Sequence, residues 1–159
     1  MTRAIIVVCA VVLTGCAATG PVFQAAPEPK EADALIYIYR PSSSWFALGA
    51  RDAYFYVNEV NVADLSNEGY TWFHVPAGDY TLTQKWPFDA TPGAKALNIN
   101  ARWLPKQKYY FRLETAAGYR QYLWRVSEVP ADRALIEISS CKYQPAFGVE
   151  KLLQKLSIK

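Results

Sequence analysis

The chain has 159 residues, a formal net charge of +3, 52% apolar residues and 19% charged ones. These values suit one globular domain, exclude a disordered or collagen-like chain, and leave no room for two full domains. Five Trp, eleven Tyr and seven Phe against one His favour a strand-rich core and leave little imidazole for metal binding or acid–base catalysis. The 17 basic and 14 acidic residues are scattered, so the clustered footprint of a nucleic-acid binder is missing.

Arg3 precedes an unbroken apolar run over residues 4–13, which Leu13-Thr14-Gly15-Cys16 closes. A bilayer-spanning helix needs about 20 apolar residues. The shorter run therefore reads as the core of a cleaved secretory signal, residues 1–15. Small Thr14 and Gly15 let the chain enter a protease site in extended form, and the thiolate that follows is a strong nucleophile. The quartet resembles the bacterial lipobox. That resemblance implies cleavage before Cys16 and acylation of Cys16 by diacylglycerol, with palmitate among its two or three acyl chains. At about 0.8 kcal/mol per buried methylene, such an anchor is in practice permanent. Ala17, where an inner-membrane lipoprotein would carry Asp, implies sorting to the outer membrane, on its periplasmic face. The plainer alternative is an ordinary signal peptide cut near Ala17 or Ala18.

Residues 16–33 contain three prolines, no apolar period and charges of both signs, and they read as a lipidated N-terminus with a flexible, extended tether. Fully stretched, about 17 residues reach roughly 55–60 Å. Residues 34–159 form the domain. Short β-like runs broken by turn residues every ten or so positions predict a mainly β fold, a Greek-key-type β-sandwich of about seven strands. The runs are 34–40, 54–57, 60–65, 70–75, 80–86, 97–101, 107–114 and 122–129. The first is continuously apolar, as in an interior strand covered on both faces. In the seventh, Tyr109, Phe111 and Leu113 alternate with Tyr110, Arg112 and Glu114, so the two sets face opposite ways.

One or two short C-terminal helices follow. Pro130 suits a first helical position, and apolar residues 131, 134, 135 and 138 recur at helical spacing. Val149, Leu152, Leu153 and Leu156 do the same, with Lys151, Gln154 and Lys155 opposite. This last helix is expected to pack on the sheet or cap an open end of the sandwich; the alternative is a basic amphipathic helix lying on anionic lipid. Of the three cysteines, Cys9 leaves with the signal and Cys16 is acylated. Cys141 remains unpaired and is expected on or beside the inner helix face.

The ordered set Leu35-Ile-Tyr-Ile-Tyr-Arg-Pro41, Tyr56-Val-Asn-Glu59, Val62-Ala-Asp-Leu65, Glu68-Gly-Tyr70 and Val75-Pro-Ala-Gly-Asp-Tyr80 is similar to the small bacterial lipoproteins grouped as domain of unknown function 2846, over roughly residues 33–145. Its Pro-Ala-Gly-Asp-Tyr element also resembles hairpins of transthyretin-like and carboxypeptidase-regulatory-like sandwiches, which implies that topology. The family has no assigned reaction, so the resemblance implies no catalytic residues. Read on their own, Arg40-Pro41 ends a strand, Asn58 and Glu59 fill a tight turn, and Gly78 serves a hairpin.

Enzymatic templates find little here. His74, the sole imidazole, lies on a strand beside Tyr70 and Trp72, and neither a nucleophile elbow nor a phosphate loop occurs. His74 and Cys141 are too few for zinc, and no cofactor is expected. What remains is aromatic chemistry on strands. Tyr110, Arg112, Tyr122, Trp124 and Arg125 are the candidate ligand or partner surface, unless the C-terminal helices cover that face. The expected activity is that of a lipid-anchored, non-catalytic binding or assembly module of the cell envelope. Its partners would be membrane lipid through Cys16 and an envelope protein, with a cell-wall glycan stacked on strand-face aromatics as the alternative and no nucleic acid.

Overall fold

A computed structural model describes residues 17–42, 51–86, 96–117 and 122–158; residues 1–15, read above as a signal, and Leu13-Thr14-Gly15-Cys16 lie outside the described residues. Nine strands and two helices occur among the described residues. The strands are β1 (Asp33–Tyr39), β2 (Ala53–Val57), β3 (Val60–Leu65), β4 (Gly69–Pro76), β5 (Gly78–Lys85), β6 (Leu97–Trp103), β7 (Lys108–Ala117), β8 (Tyr122–Glu128) and β9 (Lys142–Tyr143). The helices are α1 (Ala131–Ile138), between β8 and β9, and α2 (Val149–Ser157). One sheet has the order β8-β7-β1-β4-β9 and the other β3-β2-β5-β6. The mainly β sandwich is thus present, with every expected strand and both helices. The two-residue β9 is an addition too short to leave a periodic signal.

β1 is the centre of this arrangement. It pairs antiparallel with β4 and parallel with β7, and residues 34–39 are all buried. Ala34, Ile36 and Ile38 point into the main core with Phe55, Val57, Val62, Leu82 and Trp103 from the other sheet. Leu35, Tyr37 and Tyr39 point outward into a second apolar cluster with Tyr70, Tyr110, Val129, Ala134 and Ile138. Since a strand alternates faces residue by residue, continuous apolarity requires a cover on each side.

Helix α1 supplies part of the outer cover through Ala134 and Ile138; Leu135, expected on the inner face, is 42% exposed. The rest of the cover corrects the flexible-tether reading, because residues 17–32 are docked on the five-stranded sheet. Ala17 bridges to Asn67 and Val22 to Lys142. Further along, the Ala26 amide donates to the Tyr37 hydroxyl at 2.8 Å and the Gln24 amide to that of Tyr70 at 3.0 Å. The Phe23 ring meets Tyr70 edge-on at 5.2 Å. His74 Nε2 lies 3.0 Å from the Pro27 carbonyl, and Lys108 pairs with Glu28 at 2.6 Å. A proline-rich strip cannot satisfy its own backbone, so the hydroxyls of the outer sheet face do so.

Helix α2 closes the sandwich over β3 and β4, with Leu152 fully buried in the main core. Gly148 at its start has a packing reason: a Cβ there would come within 1.8 Å of the Asn61 carbonyl oxygen. The helix packs Leu152, with Val149 and Leu156 beside it, on the core, and Lys155 pairs with Glu59 and the Asn58 carbonyl.

Leu152→Ala is expected to lower the unfolding free energy by about 2–5 kcal/mol in urea titrations. Leu153→Ala, at a residue 39% exposed, should cost less. Equal effects would mean that α2 does not cap the core.

Candidate functional site

The parallel register sets Tyr39 beside Arg112. There β1 stops at Arg40 and Pro41, whereas β7 runs on to Ala117. The gap left alongside β7 is a cavity of about 330 Å³ lined by Arg40, Pro41, Ser42, Arg112, Glu114, Trp124 and Glu137. A larger hollow of about 530 Å³ lies by Asn58, Thr81, Thr83, Lys85 and Lys155. Its Lys155–Glu59 pair is solvent-exposed and screened, so the first cavity is the better candidate.

Arg40 occupies an inward position of the β1 alternation and is 1% exposed. Its Nη1 donates to the carbonyls of Arg51 and Leu65, while its guanidinium lies 5.5 Å from the Trp86 ring centre and 5.3 Å from that of Trp124. Burial lowers its pKa to about 10 against the opposing pull of Asp52, so it stays charged at neutral pH. Two indole faces and backbone carbonyls thus stand in for lost hydration at the end of the core.

On the outward side, Arg112 Nη1 donates to Glu137 Oε1 at 2.7 Å and Nη2 pairs with Glu114 at 2.8 Å. Arg133 Nε donates to the same Glu137 oxygen and the Tyr39 hydroxyl to Oε2, each at 2.7 Å. Burial alone would raise the Glu137 pKa. Hydrogen bonds from Tyr39 and Arg133, with the charge of Arg112, outweigh burial and hold the carboxyl below its ordinary value. The Tyr39 phenol is raised by burial and then by Glu137. This network ties α1 to β1 and β7, and it leaves Arg112 Nε buried without a hydrogen-bond partner among the described residues.

The surface residues expected from sequence divide accordingly. Arg112 and Trp124 line the cavity, Trp124 packing on Trp86 at 4.5 Å. Arg125 is exposed on β8, opposite Glu114. Tyr110 is not on the surface: it is 5% exposed and stacked on Tyr37 at 4.9 Å, in the cluster that α1 and the N-terminal strip cover. Tyr122 belongs to β8, but its side chain, like Cys16, lies outside the described residues. Sequence reasoning missed Arg40 as a lining group, and with it Glu114 and Glu137. A charged residue ending a fully apolar strand was the available signal for Arg40. Cys141 is buried, its thiol pushed up to about 12 by burial and then by Glu68 and Glu137. Among the described residues, no three His, Cys, Asp or Glu side chains gather as metal ligands.

Residues 30–125, more than half of the chain, match the family described as Protein of unknown function (DUF2846). No curated protein and no solved structure matches the chain.

Glu137→Gln is expected to lower stability at neutral pH by about 2 kcal/mol, through loss of charge-assisted hydrogen bonds. The folded pKa of Glu137 lies below the unfolded one, so its stabilisation is present above the unfolded value and disappears as pH falls through the folded value. Melting curves of the two proteins should converge on acidification. A gap that persists in acid would show that the carboxylate charge is not what holds α1.

Proposed function

The chain belongs to the DUF2846 family, and we propose that it is a lipid-anchored cell-envelope lipoprotein acting as a non-catalytic binding or assembly module. The observation that carries this reading is Leu13-Thr14-Gly15-Cys16 closing a short apolar run behind Arg3. Cys16 is the acylated residue, membrane lipid is the first partner, and the periplasmic face of the outer membrane is the expected location.

The cavity favours binding over chemistry. Its Arg112 guanidinium is matched against Glu114 and Glu137, Arg40 is held by carbonyls and indole faces, and both Glu137 oxygens already accept hydrogen bonds. The Cys141 thiol, with a pKa pushed to about 12, is a poor nucleophile. Arg112 Nε offers one buried donor to a ligand or partner group that brings an acceptor. The glycan alternative has less support than its sequence motive suggested, because Tyr110 is covered and Trp124 packs on Trp86.

Cys16→Ala should move the protein from the membrane fraction to the soluble fraction and leave its amino terminus without acyl mass. A variant still processed and membrane-bound overturns the anchor. Co-purification from solubilised envelopes should yield a stoichiometric protein partner; retention on peptidoglycan with no such partner overturns the assembly role.

A further inference from the structure

If Cys16 carries the lipid, the position of the next residue decides where the bilayer lies. Ala17 bridges to Asn67, and the Ala18 amide donates to the Asn67 carbonyl at 3.0 Å with Ala18 only 3% exposed. Farther on, the Tyr143 amide donates to the Pro21 carbonyl at 2.7 Å, and a Cβ on Gly20 would come within 1.9 Å of the Tyr143 carbonyl oxygen. The chain is seated from its first residue after Cys16. One trans peptide separates consecutive Cα atoms by about 3.8 Å, so almost no slack remains between acyl chains and fold.

The strand directions show what shares that end of the sandwich. β1 finishes there, since the Arg40 amide bonds the Gly69 carbonyl at the start of β4. β2 begins there, with Ala53 opposite Leu65 and Tyr54 opposite Lys85. The α1 C-terminus joins it, because the Lys142 amide bonds the Glu68 carbonyl. The cavity residues Arg40, Pro41 and Ser42 belong to the same end. The hairpin at Ala77 lies at the other end of β4, roughly 25 Å away at 3.3 Å per residue.

We infer that the end of the sandwich carrying the turn at 66–69, Arg51 and Ser140 is a lipid-contact surface, so that the domain stands end-on with its Arg40 cavity close to the headgroup layer. This inference rests on the anchor reading above. The described residues of that end suit headgroups rather than the hydrocarbon interior: Arg51, Asp52 and Ser140 are exposed there, and Glu68 and Lys142 are half-buried. The anchor supplies the attraction and the docked strip supplies the orientation.

The test uses the full acylated chain in vesicles of phosphatidylethanolamine and phosphatidylglycerol that contain a nitroxide-headgroup lipid. A fluorophore is placed at Arg51→Cys or Ser140→Cys near the anchor, or at Ala77→Cys at the far hairpin. Buried Cys141 serves as the unlabelled background. Quenching several-fold stronger at Arg51 and Ser140 than at Ala77 is the expected result. Equal quenching at all three sites, or a reversed order, overturns the orientation while vesicle flotation keeps the anchor intact. If the unlabelled chain neither floats nor carries acyl mass on Cys16, the anchor reading fails and the orientation falls with it. Retention of each variant's circular dichroism spectrum and melting transition separates a wrong orientation from a misfolded protein.

Discussion

The constraint on which the structure depends is that β1 is apolar on both faces. Three outward residues, Leu35, Tyr37 and Tyr39, are as completely buried as the three that face the main core. Leaving them in water would expose apolar area at a cost of about 25 cal/mol per Å², so a second layer has to cover the five-stranded sheet. The chain supplies that layer from two distant places, α1 and residues 17–32. The path of residues 17–32 is thereby a consequence of the core. A proline-containing segment that would otherwise be slack is held along the sheet, and its first described residue is set beside Asn67.

The same strand also creates the cavity. Its last residue in the inward phase is Arg40, and Pro41 then removes the donor that another ladder step would need. A charged residue ending an apolar strand has either to reach water or to find substitutes for it. Arg40 finds carbonyls and the faces of Trp86 and Trp124. Directly beside it, Arg112 cannot be buried alone, and Glu137 comes down from α1 to meet it. Cover and cavity therefore share one ion-pair network: the carboxylate that fixes the helix also forms part of the lining. A buried pair of this kind adds little net stability over an apolar pair of the same shape, but removing one partner leaves a costly orphan.

Much of this was legible in the sequence wherever a period was involved. The unbroken apolarity of residues 34–39 predicted a strand covered twice, the alternation of β7 assigned Tyr109 and Tyr110 to opposite faces, and Leu152 fell on the buried side of α2. What was not legible involves contacts with no period. Residues 17–32 are held by single backbone groups bonding tyrosine hydroxyls of β1 and β4, and by isolated Phe23 and Ala26, a pattern that looks in sequence like any proline-rich linker. Tyr110 was assigned to the right face, but whether that face met solvent depended on elements far away in the chain. Glu137 was one of fourteen acids, and only the fold set it within reach of Tyr39, Arg112 and Arg133.

Docking of the N-terminal strip changes what an anchor on Cys16 could do. A free tether of this length would let the domain explore roughly 55–60 Å above the bilayer, a range suited to catching a partner on a distant layer. With the strip seated, the reach is set by the sandwich itself. Its longest strand, β7, has ten residues and spans roughly 33 Å at 3.3 Å per residue. On the proposed anchor, the far hairpin at Ala77 and the end of α2 near Asn58 would mark the height at which the protein meets anything facing the bilayer. In the proposed orientation, the cavity at Arg40 and Arg112 would face only what moves along the membrane plane or sits in it. A seated anchor thus exchanges radial reach for a fixed orientation, a balance suited to a module that holds one face toward the bilayer and another toward a partner.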